Sequence, residues 1–255
     1  MKDILAAAEA WIRGDPDATT RAELEAWVQA GDLAELASRL SPLTFGTAGL
    51  RAAVGAGSGR MNVAVVLRAA WGVGRYVLEA GLSERPIVIG FDARPTSRAF
   101  AEASVSVWLA QGLRVVALTE PAATPLCAYL GRDRGAAATV VVTASHNPRG
   151  DNGYKVYGPD AVQIVAPTDA AIAAHIASAP PAIEVPRAPL SAAEWLAPRE
   201  LHGYFAAISG GAGNARPGAR GGGAARRGAL VGQRSRCGPP RGRRAVGWRA
   251  DRPRR

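Results

Sequence analysis

Apolar and polar positions change their period several times along this 255-residue chain, and the changes divide it into segments. Residues 3–13, 20–29 and 31–40 read as helices, with Thr19-Thr20 and Glu23 as a start signal, and together predict a helical N-terminal arm over residues 1–41. Residues 62–80 repeat Val63, Val66, Leu67, Ala70, Val73, Val77 and Leu78 at helical spacing and predict one long helix. Short β-rich runs follow at Ile87 to Phe91, Arg114 to Leu118 and Thr139 to Thr143. Helical stretches near 97–111 and 124–131 separate them, and another spans Asp169 to Ala177. This alternation predicts an α/β body at residues 42–180 whose sheet is covered by helices on its faces. Ala179 to Pro189 reads as a linker, and a helix near 191–208 is expected to open a second domain within residues 181–211.

Chemistry concentrates where the apolar run Thr139-Val140-Val141-Val142 ends and a polar stretch, residues 143–158, begins. In α/β proteins the carboxyl end of a buried strand is where ligands bind, and Asn147-Pro148 and Asn152-Gly153 are turn signals that hold the intervening backbone in a loop. Ser145 supplies a hydroxyl nucleophile, with His146 beside it and Lys155 ten residues on. Cationic and proton-transferring neighbours suit a covalent phosphoryl intermediate. The Gly-x-Ser-x-Gly elbow of an acyl-transfer serine is absent. Taken alone, the stretch also fits a Ser/Asn/Pro turn whose side chains only cap backbone groups. Lys155 stands out because the chain uses arginine 29 times and lysine twice, the other being Lys2. An ammonium on a flexible stem can follow a moving phosphate and gives up a proton more readily than a guanidinium.

The loop resembles the phosphoserine loop of the α-D-phosphohexomutases, the phosphoglucomutase and phosphomannomutase superfamily. Three further segments carry the resemblance: Phe45 to Arg51 followed by Arg60-Met61-Asn62, then Gly90 to Arg94 with Ser97, and Glu120 to Pro125. The similarity runs from about Leu43 to about Ile176, and its opening motif is closest to the branch of larger phospho-sugar mutases. The resemblance implies a three-layer α/β domain with a mixed sheet between helices. It implies a mutase in which a phosphorylated serine, Ser145, passes its phosphoryl group to a sugar phosphate through a bisphosphate intermediate. His146 and Lys155 match positions proposed for proton transfer and charge stabilisation, and Arg51 matches an arginine of the active-site rim. Cationic donors around a seryl phosphate are what phosphoryl transfer needs. Mg2+ is the implied cofactor, held partly through the phosphate on Ser145. The remaining ligands would come from an Asp-x-Asp-Gly-Asp loop that is absent here, since Asp15-Pro16-Asp17, the sole Asp-x-Asp, reads as a turn. The chain is therefore expected to lack turnover by itself.

Charge is divided unevenly. Residues 212–255 hold 13 arginines and one acid, a net of +12, while residues 1–211 carry a net of −2. With Leu230, Val231, Val246 and Trp248 as its only large apolar side chains, the tail is expected to be disordered. Its Arg, Gly, Ala and Pro mixture is what an out-of-frame reading of GC-rich coding DNA yields. A genuine tail of this kind would instead bind nucleic acid by neutralising phosphates, giving a noncatalytic binding protein.

Other classes find little support. Gly55-Ala56-Gly57-Ser58-Gly59-Arg60 lacks both the third glycine of a dinucleotide loop and the Gly-Lys-Ser/Thr ending of a P-loop, and reads as a flexible connection. His146, His175 and His202 are far apart with no metal-ligand spacing, and His175 and His202 are expected on helix surfaces. Arg94 and Arg98 read as ordinary arginines of a turn and a helix start. Two cysteines, Cys127 and Cys237, fit a reducing compartment. No run approaches a membrane span and Met1-Lys2-Asp3 lacks a signal pattern, so a cytoplasmic protein is expected.

Overall fold

The computed structural model of the chain describes residues 2–47 and 49–210. The expectations for residues 212–255 lie outside the described residues. Three helices form the N-terminal arm, α1 (Lys2–Gly14), α2 (Ala18–Ala30) and α3 (Leu33–Leu40). The body follows as β1 (Leu50–Ala53), α4 (Val63–Glu79), β2 (Ile87–Phe91), α5 (Ser97–Ala110), β3 (Val115–Leu118), α6 (Thr124–Asp133), β4 (Ala138–Val142), β5 (Asp151–Tyr157) and α7 (Thr168–Ala177). It ends in β6 (Glu194–Leu196) and α8 (His202–Gly210), with short 3-10 turns around them.

The six strands form one sheet in the order β1-β5-β4-β2-β3-β6. β2, β3, β4 and β6 run parallel, while β5 is antiparallel to β4 and β1 is antiparallel to β5. The expected three-layer α/β architecture with a mixed sheet is present. β2, β3 and β4 are buried at every position, which is why they read as unbroken apolar runs with no alternation. One face of the sheet packs a large core that includes Val66, Leu67, Val73, Trp108, Val140 and Tyr154, contributed by α4, α5 and neighbouring strands. The other face packs Val88, Leu118, Leu126, Cys127, Leu130 and Val141 under α6.

Several expectations need correction. Helix α2 starts at Ala18 on an Asp17 N-cap, whose carboxylate accepts from Thr19 N at 2.8 Å, not at Thr20 on a threonine cap. Glu23 is diverted to other work: it pairs with Arg39 at 2.5 Å and accepts from Ala56 N at 3.0 Å. Through that contact the arm grips residues 55–59, so the glycine-rich segment is a packed turn and not a flexible connection. At Gly57, where φ is +101°, a Cβ would be driven into the Arg39 carbonyl, so only glycine fits. Residues 191–208, expected as one helix, hold the end of one 3-10 turn, β6, a second 3-10 turn and most of α8. β6 pairs with β3, where ladder hydrogen bonds reward the extended backbone that helical periodicity alone did not signal. Among the described residues no helix is long and apolar enough to cross a membrane.

Candidate active site

The polar stretch 143–158 is half loop and half strand. Residues 145–150 turn between β4 and β5, but Asn152-Gly153, expected as a turn, sits inside β5 and is buried. Three strands meet there. A Cβ at Gly153 would lie 2.7 Å from the Thr143 carbonyl oxygen and 2.8 Å from that of Leu50, so glycine serves close approach and not a bend. Asn152 uses its amide as a tie, donating from Nδ2 to Thr96 Oγ1 at 2.9 Å and Ser97 Oγ at 3.0 Å, while its Oδ1 accepts from Gly153 N at 2.8 Å.

The structure places Ser145 at the start of this turn, exposed, with φ at +56°. A left-handed backbone at a residue with a Cβ costs about 1–2 kcal/mol and persists only where its surroundings impose it. Two devices do so. Ser145 N donates to Thr143 Oγ1 at 2.9 Å. The larger device is Arg94, whose side chain is only 12% exposed. Its Nη1 donates to the carbonyls of Pro148 (2.5 Å) and Asp151 (2.9 Å), and its Nη2 to those of Asn147 (2.8 Å) and Ser145 (3.2 Å). Nε of Arg94 pairs with Asp92 Oδ2 at 3.1 Å, and Asp92 Oδ1 accepts from Ser97 Oγ at 2.6 Å. One guanidinium thus threads the whole serine loop onto the carboxyl end of β2.

Sequence reasoning treated Arg94 as an ordinary turn arginine and so missed its role. The available signal was its place in Asp92-Ala93-Arg94, directly after a buried strand: an acid two residues away fixes a guanidinium there, free to reach a neighbouring loop. Arg98, by contrast, is as expected, pairing with Glu102 on its own helix at 2.8 Å.

Arg51 and Lys155 come together with the serine loop. Register places Arg51 opposite Gly153 in the β1–β5 pair and Lys155 opposite Val141 in the β5–β4 pair, so strand alternation puts both on the α6 side of the sheet. They lie toward the β1 edge. Arg51 is exposed and donates from Nη1 to Asn147 Oδ1 at 3.3 Å, linking it to the loop. Asn147 in turn donates from Nδ2 to Asp151 Oδ2 at 2.8 Å. Lys155 is half-buried; desolvation, and secondarily the Arg51 charge, hold its ammonium below the ordinary lysine pKa. His146 follows Ser145 in the exposed turn and forms no ion pair or side-chain hydrogen bond among the described residues. Beside the loop, Asp92, Ala93, Arg94, Pro95, Asn147 and Arg149 line a shallow hollow of about 440 Å³.

The residues present do not fit a divalent metal. The two carboxylates that reach the loop are already engaged, Asp92 by Arg94 and Ser97 and Asp151 by Asn147. No group of three His, Cys, Asp or Glu side chains able to hold a metal ion occurs among the described residues. His175 pairs instead with Glu79 at 2.9 Å, tying α7 to α4, and His202 is exposed on α8. Cys127 is buried against Gly90, where burial pushes its thiol up to about 12, so it is no nucleophile at neutral pH.

Fold and loop define a class: an α/β/α domain that offers an exposed serine hydroxyl, held in a fixed turn, to a small cluster of cations. The comparisons agree, and the chain belongs to the phosphoglucomutase/phosphomannomutase family. The family's alpha/beta/alpha domain I matches residues 42–182, more than half of the chain. "Probable phosphoribomutase" of Schizosaccharomyces pombe is 40% identical over 169 residues, which cover 65% of this chain and 29% of the yeast protein. Phosphopentomutase of Mus musculus is 35% identical over 175 residues, covering 65% of this chain and 28% of the mouse protein. Among solved structures, a Thermus thermophilus protein assigned as a phosphomannomutase superposes with a TM-score of 0.58 at 31% identity, covering 68% of this chain and 36% of its own. The chain spans less than a third of the length of these curated relatives.

Proposed function

We propose that the chain carries the phosphoryl-accepting half of a phospho-sugar mutase, in the branch of larger phospho-sugar mutases, with Ser145 as its phosphoserine. The observation that carries this reading is the presentation of Ser145 at φ +56° on a loop fastened by Arg94, beside Arg51 and Lys155. A strained, tethered turn fixes where the seryl oxygen sits, and phosphoryl transfer depends chiefly on such positioning and on charge neutralisation.

In the forward step the bond between Ser145 Oγ and phosphorus breaks as a sugar hydroxyl oxygen bonds to that phosphorus. The hydroxyl proton must leave in the same event, and the released Ser145 Oγ must take up a proton to leave as a hydroxyl. Lys155, its ammonium already disfavoured, and His146 are the two side chains at the loop suited to these transfers, one taking the hydroxyl proton and the other, protonated, supplying Oγ. Arg51 and whichever of these remains protonated balance the charge on the phosphoryl oxygens. The second half runs in reverse, returning the sugar's other phosphate to Ser145 Oγ. Magnesium, which the family's chemistry implies, has no completed site among the described residues. The chain by itself is accordingly expected to accept a phosphoryl group without sustaining turnover.

The test is intact-mass analysis after incubation with glucose 1,6-bisphosphate and with ribose 1,5-bisphosphate. Addition of one phosphate, mapped to Ser145 and lost in Ser145→Ala, is the expected result. A phosphate that maps elsewhere, or none from either donor, would overturn the reading. Both donors are needed because the relatives' names point to pentose phosphates while the family's name points to hexose phosphates.

A further inference from the structure

Behind the serine loop the hydrogen bonds run in one direction, and that direction is set at Asn152. Its side chain is fully buried, as is that of Ser97. A backbone N–H only donates, so the amide atom that meets Gly153 N at 2.8 Å is Oδ1, which leaves both N–H bonds of Nδ2 for Thr96 Oγ1 and Ser97 Oγ. The Ser97 hydroxyl has a single proton. Because its oxygen already accepts from Asn152, that proton goes to Asp92 Oδ1, at 2.6 Å.

The Asp92 carboxylate is where Arg94 is anchored. Oδ1 accepts from Ser97 Oγ and Arg94 N, and Oδ2 accepts from Arg94 Nε. The other four N–H groups of Arg94 go to the loop carbonyls, so all five are spent and none is left to correct a misplaced carboxylate. Donors therefore run from Gly153 through Asn152 and Ser97 to Asp92, and a chain in which every member has its partner holds one arrangement. Its two ends matter chemically. It starts on β5, which carries Lys155, and finishes at the guanidinium that fastens Ser145.

We propose that Asn152 is a positioning residue for the serine loop: by giving both N–H bonds to the start of α5 it aims the Ser97 hydroxyl at Asp92, and through Asp92 and Arg94 it fixes Ser145 relative to Lys155. The consequence for phosphoryl transfer rests on the reading of Ser145 as the phosphoserine, whereas the effect on the loop does not.

Asn152→Asp keeps the shape and exchanges a donor for an acceptor. Ionised, the new carboxylate offers Ser97 Oγ no hydrogen and competes with Asp92 for the Ser97 proton; protonated, it donates again. Burial and the nearby Asp92 charge bring that titration up toward neutral pH. Asp92 and Arg94 are the charged groups reached through Ser97, while Arg98 and Glu102 of α5 pair with each other and Arg51 and Lys155 lie on the opposite face of the sheet.

The experiment measures hydrogen exchange of the full 255-residue chain at the Ser145, Asn147 and Asp151 amides, each relative to the β4 amides and to the parent at the same pH. In Asn152→Asp, loop protection should fall about tenfold at about pH 8, the factor for one lost buried hydrogen bond, and recover toward about pH 5. Ser97→Ala should open the loop at both pH values alike, and adding Asn152→Asp to it should bring no further pH response, because the chain is already cut. Loop protection that tracks β4 at every pH in Asn152→Asp, an undisturbed loop in Ser97→Ala, or a pH response that survives in the double variant would each overturn the inference. The rate at which bisphosphate donors load Ser145, as a ratio to the parent, should follow the same pH trend in Asn152→Asp. A parent that takes no phosphate would sink the functional reading alone, since exchange at the loop needs no donor.

Discussion

Replacing Arg94 with alanine tests whether one guanidinium holds the serine loop. Of its four bonds to loop carbonyls, those to Asn147 and Asp151 are partly buried and those to Ser145 and Pro148 are exposed. Water replaces most of what the exposed pair contributes. Crediting only the partly buried pair, at about 1–1.5 kcal/mol each, gives a hold of about 2–3 kcal/mol. Against that stands the left-handed Ser145, at about 1–2 kcal/mol. The hold exceeds the strain by a small margin, and without Arg94 the strain is opposed only by the Ser145 N–Thr143 Oγ1 bond and the loop's internal bonds. The open-loop population should rise about 30- to 150-fold, the factor corresponding to 2–3 kcal/mol.

Hydrogen exchange reads this directly at three loop amides that are bonded in the closed form: Ser145 N to Thr143 Oγ1, Asn147 N to Ala144 O and Asp151 N to Pro148 O. Their exchange should accelerate by that factor in Arg94→Ala, while amides of β2 and β4 keep their protection. Arg94→Lys retains the charge but not the fork, and should recover less than half of the effect. If the three amides exchange as in the parent while the protein loses stability globally, Arg94 is an ordinary packing residue and the reasoning fails.

Lys155 should titrate below the ordinary lysine value of 10.5, because burial and the Arg51 charge both disfavour its ammonium. Arg51→Ala should raise it, read by NMR of 13C-methylated lysine against Lys2. Since the unfolded chain binds the Lys155 proton more tightly than the folded chain, stability should rise with pH between the depressed value and 10.5 and be pH-independent from this group below that window. Cys127, with its thiol pushed up to about 12, should resist maleimides in the native protein and react on unfolding, as peptide mass mapping would reveal. A Cβ at Gly90 would collide with Cys127 Sγ, so Gly90→Ala should destabilise by about 1–3 kcal/mol, and the double variant Gly90→Ala/Cys127→Ala should regain part of that in chemical denaturation.

Much of this architecture is legible in the sequence because the buried parallel strands β2, β3 and β4 are unbroken apolar runs and the long helix α4 keeps a 3.6-residue period. Val63 to Leu78 and Ile87 to Phe91 satisfy that condition, and their pattern predicts the elements nearly to the residue. β1 and β5 do not satisfy it. Leu50-Arg51-Ala52-Ala53 is too short and mixed to signal a strand, and β5 opens on Asp151-Asn152-Gly153, residues whose local preference is for turns. Tertiary pairing overrides that preference: Asn152 satisfies its amide with Thr96 and Ser97, distant in sequence, and no local pattern encodes such partners. The same limit hides Arg94. Ser145, Arg51 and Lys155 are singled out by residue type and resemblance, whereas the residue that arranges the loop is identified only by the four carbonyls it reaches.

The short strand β1 places the site's arginine through one piece of geometry. Its alternation sends Leu50 into the core and Arg51 to the serine loop, so a slip of one residue would exchange them and drive a guanidinium into the core. Four residues of pairing specify register weakly by themselves. Gly49, which moves with β1, selects the register, and Gly153 on β5 lets the strands close to a spacing no side chain tolerates. At Gly49, with φ of +74°, a Cβ would meet the Tyr154 carbonyl, and at Gly153 one would meet those of Thr143 and Leu50. Shifting β1 by one residue would bring Leu50 or Ala48 into the place of Gly49 and force a Cβ into that carbonyl. Gly49 therefore acts on the site without touching it, by making the correct placement of Arg51 the sterically permitted one.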